Sequence, residues 1–342
     1  MLFRSECLLI DDGSTDESGD ICRKYAKLDP RFRIWTQPNS GSGPARNKGL
    51  QYATGKYVFF SDADDQLAPN LLERAVETAE KSTAQLLIFG YVDSWTDARG
   101  NLQATLLLPK ETWAATHEEV RNRFEEYHSF AYRNLWNKFY LRSYLVDHQI
   151  TFPDQRVGQD ARFNLFVFEK VERVKTISDA LYHYYHREGS AVNHYNPQRF
   201  KYEWHIASHF EELMAKWERR DVYQHLTDCE YTDAIRVEMR NLVLSGSALK
   251  QEEKMARIQW MMENPTIRAA VERRIKQEKG SLYLRGMLIL LHQKRFQSAY
   301  QVMRWKMLLK PHMGFAHSWL ERTERATKGD IQHDLRAIEK RN

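Results

Sequence analysis

The chain has 342 residues, enough for two domains or for one large domain with an extension. Hydrophobic residues make up 42% of it, which supports a sizeable core and excludes global disorder. The net charge of +5 is uneven, because residues 251–342 hold 19 of the 51 Lys/Arg but only 10 of the 46 Asp/Glu.

Cys7–Ile10 reads as a buried strand ending at Asp11-Asp12-Gly13-Ser14. An EF-hand calcium loop from Asp11 would need Gly and Glu where the chain has Asp16 and Cys22, so the segment is a strand-to-helix turn. A helix over 17–27 follows, with Ile21/Tyr25 and Cys22/Ala26 as i,i+4 pairs on its buried side. Phe32–Thr36 is a second strand. Asn39-Ser-Gly-Ser-Gly-Pro44 is a flexible loop, and Pro44 is placed as first residue of the next helix, which carries Ala45-Arg-Asn-Lys-Gly-Leu50. The amino end of that helix, with Arg46 and Lys48 beside it, suits a phosphate, although a Gly-rich loop with Arg is a weak signal alone.

Tyr57–Phe60 is a short apolar strand that stops at Ser61-Asp62-Ala63-Asp64-Asp65. Clustered carboxylates repel one another, so such a segment is solvated or holds a cation. Asp62 and Asp64 can face one hard cation that bridges to a diphosphate; the alternative is an acidic turn capping the helix that begins near Pro69. Leu72, Ala75, Val76 and Ala79 mark that helix. Strands are expected over 84–92 and 103–108, and mainly helices over 118–148, a stretch with Trp136, Asn137, Lys138, Phe139 and Tyr140. A loop over 151–159 leads to Asp160, which opens a helix over 161–168 and is either its amino-terminal carboxylate or a functional acid. Strands over 172–178 and 180–186 follow, and beyond Asn196 the pattern is helical. Gln293–Pro311 has the pattern of half a tetratricopeptide-like helix pair, in one copy. The alternation predicts an α/β fold: a mostly parallel sheet flanked by helices, with an α-helical C-terminal extension.

Cys7, Cys22 and Cys229 are far apart with no metal-ligand spacing, and read as reduced thiols of a cytoplasmic protein. No apolar run reaches the roughly 18 residues of a membrane span, and no signal peptide is visible. The basic C-terminal region is a solvated face or a contact for anionic lipid or a partner.

Taken together, these segments resemble the inverting glycosyltransferases of family 2, which have the GT-A (Rossmann-like) fold. The resemblance rests on Leu9-Ile-Asp-Asp-Gly-Ser-Thr-Asp16, Ala45-Arg-Asn-Lys-Gly-Leu50, Ala53-Thr-Gly-Lys-Tyr57, Ser61-Asp-Ala-Asp-Asp65, Trp136-Asn-Lys-Phe-Tyr140 and Gly158-Gln-Asp-Ala-Arg-Phe163. It is strongest to bacterial enzymes that build capsule, exopolysaccharide or lipopolysaccharide. It implies a GT-A domain over 1–198 and an α-helical region over 199–342. It implies that Asp12 accepts from the nucleotide base, which suits uracil and hence a UDP-sugar donor, and that Arg46 lies near the nucleotide. Asp62 and Asp64 would hold Mn²⁺ or Mg²⁺ on the diphosphate, and Asp160 would be the catalytic base. Trp136 and Lys138 would lie near acceptor or donor sugar, and Arg187 and Ser190 at a segment closing over the diphosphate. The acceptor would be a growing or lipid-linked surface glycan. Location would be cytoplasmic, with peripheral membrane contact through the basic helices and no nucleic-acid partner.

Two departures stand out. Gln159-Asp160 replaces the Glu-Asp of many relatives. Relatives also have an apolar strand inside the sheet before the one at Cys7–Ile10, where this chain has six residues. Unpaired buried backbone groups cost about 1–3 kcal/mol each against a total stability of about 5–15 kcal/mol, so a weakly stable, weakly active chain is expected. The alternative readings are a truncated, non-catalytic relative and a nucleotidyltransferase.

Overall fold

The structure, a computed structural model, describes residues 4–96, 100–186, 194–278 and 281–309. Its strands are β1 (Cys7–Asp11), β2 (Phe32–Thr36), β3 (Tyr57–Phe59), β4 (Gln66–Leu67), β5 (Leu86–Thr96), β6 (Leu102–Leu107), β7 (Thr112–Ala114), β8 (Lys138–Leu141) and β9 (Val174–Tyr185). Between them lie α1 (Ser18–Leu28), α2 (Ser42–Tyr52), α3 (Leu71–Ser82), α4 (His117–Asn122), α5 (Phe124–Ala131), α6 (Arg142–Asp147) and α7 (Gln159–Lys170). After β9 come α8 (Arg199–Lys216), α9 (Gln224–Val243), α10 (Gln251–Glu263), α11 (Pro265–Gln277), α12 (Leu282–His292) and α13 (Phe296–Leu309). The chain divides into two compact units, Met1–Val92 with Leu107–Tyr184 and Asp93–Leu106 with Tyr185–Asn342.

The α/β architecture is present in the first unit. β1 and β2 pair in parallel, Cys7 opposite Phe32 and Asp11 opposite Thr36. The larger sheet has the order β3-β8-β5-β9-β4, with β6 on β5 and β7 on β9. β8 runs antiparallel to both neighbours, so β3 and β5 point the same way. Among the described residues no ladder joins β1 to the larger sheet. The run Leu86–Phe89 of β5 is buried on both faces, as a central strand requires. Leu71, Ala75 and Ala79 of α3 pack on Leu87, Phe89, Phe139 and Tyr182. The second unit has its own core, in which Ile235, Met239 and Leu242 of α9 meet Ile267, Val271, Met287 and Leu288.

Several expectations change. Residues 138–141, expected helical, form β8, because Phe139 and Tyr140 are buried on opposite faces of the sheet. The two strands expected over 172–186 are one, β9. α2 begins at Ser42, so Pro44 is its third residue, where a missing N–H is equally harmless. Ile21 and Tyr25 are 52% and 51% exposed, not buried, because α1 has only the narrow β1–β2 ribbon to pack on. No helix among the described residues is long and apolar enough to cross a membrane.

Candidate active site

The site is organised along α2. At its amino end, Asp11 and Asp12 leave β1 with separate tasks. Asp11 accepts the Ser14 N–H at 2.9 Å, and that bond holds its carboxyl below the usual range. Asp12 fastens segment 37–41: Oδ1 accepts from Gln37 Nε2 at 2.7 Å and Ser40 N at 2.9 Å, and Oδ2 accepts from Gly41 N at 2.7 Å. Gly13 has φ +74°, and a Cβ there would lie 2.8 Å from Asn39 N, so the turn needs glycine on both counts.

One turn into α2, Ala45, Arg46 and Asn47 face three ways. Ala45 is buried. Asn47 clamps the 151–158 loop, donating Nδ2 to Phe152 O at 2.9 Å and accepting Phe152 N at 2.8 Å. The Phe152 ring stacks on Phe163 of α7, with centroids 4.1 Å apart, which fixes α7 relative to α2. Gln159 Nε2 adds a bond to Ser42 Oγ. The two helix starts are thereby tied together, and Arg46 lies between them.

Arg46 is the centre of the site. Its Nη1 donates to Asp160 Oδ1 at 2.6 Å and its Nη2 to Asp62 Oδ1 at 2.8 Å. One guanidinium thus joins carboxylates 98 residues apart in sequence, with side chains 30% and 32% exposed, so both reach the same cleft. Burial pushes the Asp160 carboxyl up to about 6; Arg46 opposes the rise and the Asp62 charge adds to it. Lys48, expected beside the phosphate, instead lines an open depression of about 430 Å³ with Pro44, Asn47, Gln51, Phe152 and Asp154.

The acidic turn is held from below by β9. β4 follows directly after it and pairs with β9, Leu67 opposite Tyr182. The buried Tyr182 hydroxyl accepts Asp62 N at 3.2 Å and donates to Asp65 Oδ2 at 2.7 Å. Burial first, then the Asp65 bond, raises the phenol's pKa. Asp62 and Asp65 are therefore anchored, while Asp64 is exposed. Trp136, 7% exposed, stacks on Tyr182 at 4.8 Å and on Tyr184 at 5.2 Å. It backs the tyrosine that holds the turn. Sequence reasoning missed Tyr182; its only signal was the aromatic alternation of the strand.

Lys138 is fully buried, donating Nζ to Asn134 O and, at 3.1 Å, to Asn137 Oδ1. Burial drives its ammonium well below the usual lysine range, and the Asp160 charge pulls back. Tyr140, also buried, donates to Asn164 Oδ1 at 2.8 Å; burial raises its phenol pKa, the Asp160 charge adds to the rise and Arg46 opposes it. Lys138 and Tyr140 are thus buried groups within electrostatic reach of Asp160. Arg187 and Ser190 lie outside the described residues.

Asp62, whose Oδ1 accepts from Arg46, and the exposed Asp64 would be the carboxylates to hold a divalent cation that arrives with a diphosphate. Mg²⁺ in such sites takes one or two carboxylates, and phosphate oxygens and water complete its shell. Among the described residues no cluster of three His, Cys, Asp or Glu forms a cage, and this donor set does not need one.

The first unit is thus an α/β fold with carboxylates gathered at strand ends. Its fold is shared with the crystal structure of S. aureus TarS 1-349 in complex with UDP: TM-score 0.53, 22% identity, covering 89% of this chain and 82% of that one. Residues 2–148 match the model for glycosyl transferase family 2. Two proteins of Bacillus subtilis (strain 168), "Putative glycosyltransferase EpsH" and "Uncharacterized glycosyltransferase EpsJ", are similar. EpsH is 30% identical over 200 residues, 57% of this chain and 56% of its own length, and EpsJ is 32% identical over 181 residues, 52% of each. The chain spans about half the length of these curated relatives.

Proposed function

We propose that this chain transfers a hexose from a nucleotide diphosphate sugar, a UDP-sugar, to a surface or lipid-linked glycan with inversion at the sugar carbon. The observation that carries this is the Arg46 bridge, which brings Asp160 and Asp62 into one cleft. A base for the acceptor and a carboxylate for the donor's diphosphate must lie within one sugar's reach of each other.

In this reading Asp12 takes the uracil N3–H, sharing an oxygen with segment 37–41. That segment, and the amino end of α2 behind it, then lie along the nucleotide. Asp62 and Asp64 hold Mn²⁺ or Mg²⁺, which when bound neutralises the departing diphosphate as a Lewis acid. Asp160 removes the acceptor hydroxyl's proton as its oxygen attacks the sugar carbon from the face opposite the nucleotide. The C–O bond to the diphosphate breaks, and the proton stays on Asp160. Arg46 keeps Asp160 ionised until the acceptor arrives and orients it toward the cleft. Trp136 and Lys138 act through the residues they support, Tyr182 and Asp160. Arg187 and Ser190 remain proposed for the diphosphate. The fold's relative TarS was solved with UDP, which supports the choice of nucleotide. Reduced Cys7, Cys22 and Cys229 support a cytoplasmic location.

The test is a screen of nucleotide sugars for nucleoside diphosphate release with Mn²⁺, using the chain and its Asp62→Asn and Asp160→Asn variants. UDP release from one sugar, lost in both variants, is expected. Pyrophosphate release from a nucleoside triphosphate would move the assignment to a nucleotidyltransferase.

A further inference from the structure

We propose that the outer faces of α12 and α13 form a docking surface for an anionic lipid bilayer. From Ser281 to Leu320 the sequence contains no Asp or Glu and six basic residues, Arg285, Lys294, Arg295, Arg304, Lys306 and Lys310. The inner faces of the two helices are spent on the helical core: Leu284, Met287 and Leu288 from α12, Ala299, Tyr300 and Met303 from α13. The outer faces carry Leu282, Trp305 and Leu308, which are 76%, 64% and 58% exposed. Arg285 and Arg304 are exposed beside them.

These side chains share one end of the helix pair. The start of α12 lies against the end of α13, because the Tyr283 hydroxyl is 3.3 Å from the Met303 sulfur and Lys306 Nζ is 4.2 Å from the centre of the Tyr283 ring. Leu282 therefore sits beside the Trp305–Leu308 turn.

A single exposed leucine is ordinary on a protein surface. A tryptophan and two leucines set among arginines and lysines, with no carboxylate in the segment, match what an interfacial helix offers a membrane. The indole and the leucines enter the boundary between headgroups and acyl chains, and the cations meet lipid phosphates. A second copy of this chain fits poorly, since it would bring the same positive surface against itself.

The test is sedimentation of the full chain with vesicles of phosphatidylcholine, alone or mixed with phosphatidylglycerol. The chain is expected to sediment with the mixed vesicles, far less with phosphatidylcholine alone, and to be released as salt rises. Each basic side chain at an anionic surface changes partitioning about fivefold, so Arg304→Glu should weaken binding by more than that. Trp305→Ala should weaken it with little change in salt dependence. Lys170→Glu, exposed on the first unit, should leave it unchanged. Absence of binding to the mixed vesicles overturns the proposal. So does binding that Arg304→Glu and Trp305→Ala leave intact, or an equal loss in Lys170→Glu. A dimer in sedimentation velocity that Arg304→Glu disperses would assign the face to self-association instead. Circular dichroism of the variants separates loss of binding from loss of fold.

Discussion

At the scale of single residues, the proposed base is governed by a balance that can be measured. Burial raises the Asp160 carboxyl to about 6 and Arg46 limits the rise. A base must be ionised, so kcat/KM should be flat above that value and fall tenfold per pH unit below it. Arg46→Met removes the opposing cation and leaves Asp62 and the burial in place. The acid limb should then move to higher pH, with partial return in Arg46→Lys. A limb that stays put in Arg46→Met would show that Arg46 does not control the base. The sign for folding is separate. A carboxyl whose pKa is raised on folding takes up a proton more readily in the native chain, so Asp160 costs stability as pH rises from its ordinary value toward 6. Tyr182 offers a second test. Its hydroxyl touches Asp62 N and Asp65, not the cleft, so Tyr182→Phe should leave the pH profile alone and weaken Mn²⁺ affinity about 10–100-fold, read from the Mn²⁺ dependence of the rate.

At the scale of elements, the strand ends were legible and the sheet's assembly was not. Asp12, Arg46, Asp62 and Asp160 stand out in sequence because short polar motifs interrupt apolar runs. The meeting of Arg46, Asp62 and Asp160 depends on the sheet's assembly, and β8 and β9 are harder to read. Phe139-Tyr140 suits a helix or a strand equally until its neighbours are known, and the β4 anchor has two residues. The partner that holds Asp62 is 120 residues away, and only the β4–β9 register brings it there. The buried side expected for α1 failed for a related reason: periodicity reports an apolar stripe, not whether anything covers it. That failure leads to a prediction. Among the residues of β1, α1 and β2 only Asp11 and Gly19 are buried, Asp11 with 9% of its surface exposed, whereas Leu86–Phe89 are at most 2% exposed. Amides of β1 and β2 should therefore exchange with solvent by local opening, well before those of β5 and β9. Equal protection across the two sheets would mean that the ribbon is held by contacts these side chains do not account for.

At the scale of the whole chain, all the described site residues lie in the first unit, while the second has its own helical core and the proposed lipid face. A ligand stabilises the structure it binds in proportion to its saturation, by about 2.7 kcal/mol at a hundred times its Kd. If the UDP-sugar reading holds, UDP with Mn²⁺ should slow exchange at the segments that meet in the cleft: residues 37–41, the first turn of α2, the acidic turn and the start of α7. Helices α9–α11 belong to the second unit, and their protection should change little. The comparison discriminates between binding modes, because phosphate alone should reach the carboxyl-terminal side of the cleft without protecting segment 37–41. That segment is fastened by Asp12, the residue assigned to the base rather than to the diphosphate. Protection by UDP confined to the acidic turn would leave the diphosphate contact standing and remove Asp12 from the nucleotide site. Protection that spreads through α9–α11 would show that the two cores open as one, and the site would then have to be considered a property of both.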